Sequence, residues 1–306
     1  MSSLALVYTL VAAMAFSCLD LVRKLLAGKI RPLPLVFFLA AGTLPFLTIL
    51  FLLHQPEGPL VVRGYIWPGL AVIVIHLIAN LFFFLSLRYS PMSRTVPYLS
   101  LTPVFTALAA IPILGEFPNR FEGGGILLVV LGAVMLNKGE GHLLKNLVQE
   151  RGSVLMIGVA SLWSIAGPFE KYALEFATLP FHALTVTSGI TLGVLIWLAL
   201  ASRLNELKSF RVHYVLILAA MIAVTIGYVF QLMAISELMV SFVETFKRSV
   251  GCLMALVLGR SVFHEAVNRN QLLAVALMVA GVILLFSGTD SPVADLSWAL
   301  GEWHRA

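Results

Sequence analysis

The sequence predicts an all-α integral membrane protein of ten transmembrane helices, arranged as two inverted five-helix repeats. Three observations predict it. The 306 residues are 60% hydrophobic and only 11% charged, with a mean hydropathy of +0.98, whereas a soluble domain is about half apolar and about a quarter charged. Such a chain cannot cover its apolar surface with polar side chains and belongs in lipid. The apolar residues come in runs approaching the thickness of a bilayer, without the alternation of strands. The two halves of the chain also repeat one another.

Apolar runs bounded by Pro, Gly and charge place the spans at 4–26, 33–53, 66–87, 93–114, 123–137, 153–174, 180–201, 212–235, 238–259 and 270–288. The first follows Met1 to Tyr8, which lacks the basic region of a signal peptide, so 4–26 is expected to be a retained span. Short loops make the bundle antiparallel. The fourth span is proline-rich, with Pro97, Pro103 and Pro112 making it prone to kink. The connection 138–152 sets Leu143, Leu144, Leu147 and Val148 on one helical face and suits a loop or an interfacial helix. It separates the first five-helix unit, 1–137, from the second, 153–288. A short tail, 289–306, carries Trp298 and Trp303.

The repeat is legible in single residues. Glu116-Phe-Pro-Asn119-Arg120 recurs as Glu265-Ala-Val-Asn268-Arg269, and Gly132 recurs at the same offset as Gly281. Lys24 aligns with Lys171, and Phe16 with Trp163, in a second shared register. Five is odd, so the second unit enters the membrane inverted. Inverted repeats place a substrate site between the halves near the midplane, which by itself argues for transport.

The ninth span breaks its apolar run with Glu244, Lys247 and Arg248. A charge at bilayer depth costs from roughly 3 to over 10 kcal/mol, so three within one turn mark a polar path. Lys247 and Arg248 suit an anionic group: Arg as a planar fork for carboxylate or phosphate, Lys as a point charge. The competing reading pairs Arg248 with Glu244, four residues apart, purely to fix packing. Glu244 is also a candidate for a coupling proton.

Several of these stretches resemble a known family. Val96-Pro97-Tyr98-Leu99-Ser100-Leu101-Thr102-Pro103, then Leu114-Gly115-Glu116, Gly123-Gly124-Gly125 and Leu131-Gly132 resemble the EamA domain, the repeat unit of the drug/metabolite transporter superfamily. The resemblance implies ten helices in two inverted repeats, and export or exchange of metabolites. Phe246-Lys247-Arg248-Ser249-Val250 is partially similar to the phosphate-gripping Lys-Arg pair of triose-phosphate translocators. Those proteins also carry a basic residue in the fourth span, where Leu99 stands here.

Other polar residues within the spans are candidates to line a substrate path: Lys24 and Lys171, by their matched positions; His76 and Asn80, one turn apart; Tyr228 and Gln231; and the aromatic Tyr98 and Trp163. For His76, Asn80, Tyr228 and Gln231 structural hydrogen bonding is the favoured role, and for the aromatics plain packing. Arg23 and Glu170 are expected at the rim, snorkelling to headgroups. Glu116 and Glu265 are expected to cap the helices that follow them. Cys18 and Cys252 are expected to be small buried hydrophobes.

Enzyme signatures fail. His264-Glu265-Ala-Val-Asn268 lacks the second His of a zinc protease, and Gly259-Arg260-Ser261-Val262-Phe263 lacks the closing Gly of a nucleophile elbow. No metal site, cofactor or nucleic-acid partner is expected; the net charge of +5 suits basic loops against anionic lipid. Orientation is a conflict. Loops after odd-numbered spans carry most Lys and Arg, from Arg23 to Arg269, while the opposite side carries Arg63, Arg120 and Arg305. The charge rule then puts both termini outside, and the resemblance puts them in the cytoplasm. The expectation is a multi-pass protein of the bacterial inner membrane, monomer or homodimer, moving a small anionic or zwitterionic metabolite by proton coupling or exchange. The alternative is an intramembrane lipid-processing enzyme or flippase.

Overall fold

A computed structural model describes residues 3–26, 29–53, 59–90, 95–136, 151–263 and 269–288. Among the described residues there are ten α-helices: α1 Ser3–Leu26, α2 Pro32–Leu53, α3 Ile66–Tyr89, α4 Thr102–Leu114, α5 Arg120–Leu136, α6 Arg151–Leu174, α7 Leu179–Leu200, α8 Phe210–Glu237, α9 Val240–Phe263 and α10 Arg269–Gly288. Seven are long and apolar enough to cross a membrane: α1, α2, α3, α6, α7, α8 and α10. The interfacial helix expected within 138–152 and the tail 289–306 lie outside the described residues, apart from Arg151 and Gly152, which open α6.

The fourth span departs from a continuous helix. Val96–Leu101 is a 3-10 segment, and α4 begins only at Thr102. Proline explains the break. Pro103 has no N–H to give the Leu99 carbonyl one α-turn back. That carbonyl instead accepts from the Thr102 backbone N–H and from Thr102 Oγ1 at 2.7 Å.

The helices pack as two copies related by a two-fold. In the first unit α1 lies against α8 and α9; in the second, α6 lies against α3 and α4. Likewise α2 meets α8, and α7 meets α3. The pairs α2–α7, α4–α9 and α5–α10 map onto themselves. At one end, the segment before α3 meets the segment before α7, with Val62 N–H donating to Phe176 O at 2.8 Å. The repeat-related contact, Arg31 to Glu206, joins the start of α2 to the segment after α7. It lies at the opposite end of α2 and α7, so the two copies run inverted.

Small residues allow the closest crossings. A Cβ on Gly125 of α5 would sit 2.6 Å from Gly281 O of α10, and one on Gly132 would sit 2.6 Å from Ala274 O. The repeat exchanges these two contacts, Gly125 for Ala274 and Gly132 for Gly281. Gly132 and Gly281, conspicuous in sequence, are therefore where α5 and α10 touch backbone to backbone. Outward faces stay apolar: Leu53, Ile66, Trp67, Leu200 and Ile283 are exposed, as a lipid-facing surface requires. Cys18 is also exposed and Cys252 partly buried; Cys18 therefore departs from the buried position expected of it.

Candidate functional site

The site grows from α9. Glu244 and Lys247 are three residues apart and share a face of the helix. Lys247 Nζ donates to Glu244 Oε1 at 2.6 Å and to Gln231 Oε1 on α8. It also lies 5.0 Å from the centroid of the Phe16 ring on α1, a cation–π distance. That ring rests on Gly227 of α8, where a Cβ would come within 3.2 Å of it. The ammonium has three donors, and three acceptors surround it.

Arg248, next in sequence, turns toward the other repeat. Its Nη2 donates to Thr102 Oγ1 at the start of α4, 3.2 Å away. Its Nε is buried with no hydrogen-bond partner. The Arg248–Glu244 pair of the competing reading is not seen; Glu244 is taken by Lys247. A guanidinium with five donors thus faces one neutral hydroxyl and no carboxylate among the described residues. Between the halves, α4 and α9 touch, and Arg248 bridges the contact.

Gln231 extends the network. Its Nε2 lies 3.4 Å from Glu170 Oε2 on α6, and Glu170 Oε1 lies 3.1 Å from His76 Nε2 on α3. Glu170 is 1% exposed, which overturns its expected place at the rim. Successive residues on an α-helix point about 100° apart. Glu170 can therefore face the interior while Lys171, beside it, faces the end of the bundle. Around Glu170 lie His182 on α7, fully buried, with Nδ1 3.0 Å from the Tyr65 hydroxyl, and Tyr228 on α8. His182 Nε2 and the Tyr228 hydroxyl are buried without partners.

A second knot closes the bundle end where α4 finishes and α9 begins. Lys171 Nζ donates to Glu116 Oε1 at 2.6 Å and to Leu238 O at 2.7 Å. The other Glu116 oxygen accepts from Val240 N–H at 2.9 Å. Glu116 thus caps α9, of the opposite repeat, and not the helix after it. That helix, α5, is capped by Asn119, whose Oδ1 accepts from Phe121 and Glu122 N–H, while Glu122 Oε2 accepts from Asn119 N–H at 2.7 Å. This reciprocal capping box leaves Glu116 free to reach across. Glu265 lies outside the described residues.

The candidate residues therefore separate. Lys247, Glu244, Gln231 and His76 are joined through Glu170 in one hydrogen-bonded network, with Tyr228 beside it, while Arg248 is bonded to Thr102 and not to that network. Lys171 sits in the end knot. Trp163 packs on Phe83, ring centroids 5.9 Å apart, in an apolar cluster with Tyr98 and Leu99. Asn80 donates to the His76 carbonyl at 2.8 Å and borders a cavity of about 160 Å³ with Leu77 and Trp197, apart from the charged groups. Lys24 belongs to α1, and its side chain lies outside what is described. Glu170 and Thr102 went unnoticed as site residues in the sequence. Glu170 was masked by its neighbour Lys171, since adjacent opposite charges near a helix end look like a rim pair.

The EamA-like transporter family matches this chain twice, over residues 3–138 and 150–287. None of the curated proteins matches it. Among solved structures, one crystal structure aligns with a TM-score of 0.74 at 19% identity, covering 95% of this chain and 100% of that one. At that identity the likeness shows the fold.

Proposed function

The chain belongs to the EamA-like transporter family, and from that premise we propose that it carries a small anionic or zwitterionic metabolite, with the Arg248 guanidinium as the donor to its negative group and Lys247 as a second positive charge beside it in sequence. Arg248 carries this reading: a partly buried cation within a span, with a buried unpaired Nε and, among the described residues, only Thr102 as its hydrogen-bond partner. Leaving a buried charge uncompensated is costly, and a carboxylate or phosphate on the guanidinium fork removes that cost. All ten helices cross the membrane in this reading. α4 is lengthened by its 3-10 segment, and the 17 residues of α5 reach about 25 Å. The inverted pairing supports alternating access. The Glu116–Lys171 knot is the closure at one end, and rocking one repeat against the other parts α4 from α9.

The test is flux into liposomes containing the purified protein, using a radiolabelled panel of amino acids, organic anions and phosphorylated compounds. At least one should show saturable uptake or counterflow. Arg248→Gln should weaken its binding about 10- to 100-fold, the range of one or two charge-assisted hydrogen bonds. Flux of no charged compound, or full activity in a folded Arg248→Gln protein, overturns the proposal.

A further inference from the structure

Glu170 and His76 face each other inside the bundle, 3.1 Å apart. The groups around them come from every packed element. α3 supplies His76; α7 supplies His182, bonded to Tyr65; α8 supplies Tyr228 and Gln231; α9 supplies Lys247 and Glu244, one hydrogen bond beyond Gln231, and Arg248 further along. On α6 itself the neighbour Lys171 is committed to Glu116. The helix α4, Thr102–Leu114, carries no ionisable side chain, and Tyr98 of its 3-10 segment packs against Met156, Val159 and Ala160 in the other half of α6. Among the described residues, Glu170 therefore has no permanent cation in direct contact. Its nearest partner, His76, is positive only when protonated.

Charge accounting over the network gives a specific result. With His76 neutral, the carboxylates Glu170 and Glu244 balance the cations Lys247 and Arg248. An anion arriving on Arg248 and Lys247 uses up that positive charge and leaves the buried network one unit negative. One proton on the Glu170–His76 hydrogen bond restores neutrality. Held on Glu170 Oε1, it lies in the hydrogen bond to His76 Nε2.

We propose that the His76–Glu170 pair is a proton-binding site linked through Gln231 to the anion site, so that one proton accompanies each monoanion across the membrane. This rests on the reading of Arg248 and Lys247 as the anion site. The proton comes from water and returns to it on release. Gln231 transmits the linkage, since its amide NH₂ bonds Glu170 while its carbonyl accepts from Lys247. Coupling of this kind is reciprocal: the anion raises proton affinity, and the proton raises anion affinity. Glu244, singled out in sequence for this task, is instead held as the counter-ion of Lys247.

The experiment is an infrared pH titration of the full-length protein in lipid, following the carbonyl stretch of a protonated carboxyl group. It needs no ligand. The wild type should show a band that titrates, and Glu170→Gln should lack it. Lys247→Gln, which removes positive charge as a bound anion would, should displace its midpoint. If Glu170→Gln does not fold, Glu170→Asp keeps the acid and should shift the band. A titration unchanged by Glu170→Gln, or a midpoint that Lys247→Gln leaves in place, overturns the proposal. Loss of flux in Arg248→Gln would still support the transporter reading in that case. A Glu170 band that behaves as expected, with Arg248→Gln fully active, sinks the anion site instead.

Discussion

Lys247 and Arg248 are chemically alike and adjacent, yet their surroundings differ. The ammonium is fully engaged by Glu244, Gln231 and the Phe16 ring, while the guanidinium holds one neutral hydroxyl. The pair itself was legible in sequence, because charges in an apolar run are conspicuous. Which of the two is available was not, since Thr102 and Gln231 reach α9 from other helices. A different residue shows how charge acts outside the membrane. Glu206, in the 3-10 segment Leu204–Ser209, meets Arg203 at 2.7 Å and Arg31 across the repeat boundary. Burial pushes its carboxyl up, but the hydrogen bonds and charges of Arg203 and Arg31 outweigh this and hold it below its ordinary 4.5. A depressed carboxyl stabilises the fold above its unfolded-state pKa, and that contribution is lost as pH falls through the folded-state value. Thermal unfolding should therefore show Glu206→Gln less stable than wild type at neutral pH. The difference should close on acidification below about 4.5; a gap that persists there contradicts the pairing.

At the scale of elements, the two repeats use the same helix differently. α4 is broken by Pro103 into a 3-10 start and a short helix, whereas its counterpart α9 runs unbroken for 24 residues and carries the charges. The charges within the spans are therefore lopsided across a symmetric frame. The α5–α10 pair shows what the repeat preserves in packing. With Gly125 on Gly281 and Gly132 on Ala274, there is no room for a side chain between the backbones. Gly125→Leu should force the helices apart and lower stability by about 1–3 kcal/mol, the usual cost of overpacking. This would appear as a lower melting temperature in detergent. Gly123, whose Cβ would meet nothing within 4 Å, should accept Ala with little change. Equal effects at the two positions would contradict the close crossing.

At the scale of the molecule, the knot of Lys171, Glu116, Leu238 and Val240 ties the end of α4 to α6 and α9, and so ties one repeat to the other. If it is the closure at that end, removing its cation should loosen the end without unfolding the bundle. Spin labels at Phe117 and Glu175, both exposed, placed after Cys18 and Cys252 are replaced, report the separation. Lys171→Met should add a second, longer population by pulsed electron resonance. An unchanged distance distribution would mean that the knot is a cap and nothing more.

The sequence by itself determined the class of this protein and its internal symmetry. Hydrophobic run length, the matched Glu116/Glu265 and Gly132/Gly281 positions, and the charges of the ninth span are all local properties of the chain. Spans and repeats follow from such properties because the bilayer imposes one length and one polarity on every segment. The partners of each buried polar group were decided only by the tertiary structure. Glu116 caps a helix of the other repeat, Glu170 turns inward to His76, and Arg248 meets no carboxylate among the described residues. The physical reason is that buried polar groups must find partners wherever helices cross. In this bundle those crossings join residues from opposite halves of the chain, which no local pattern records.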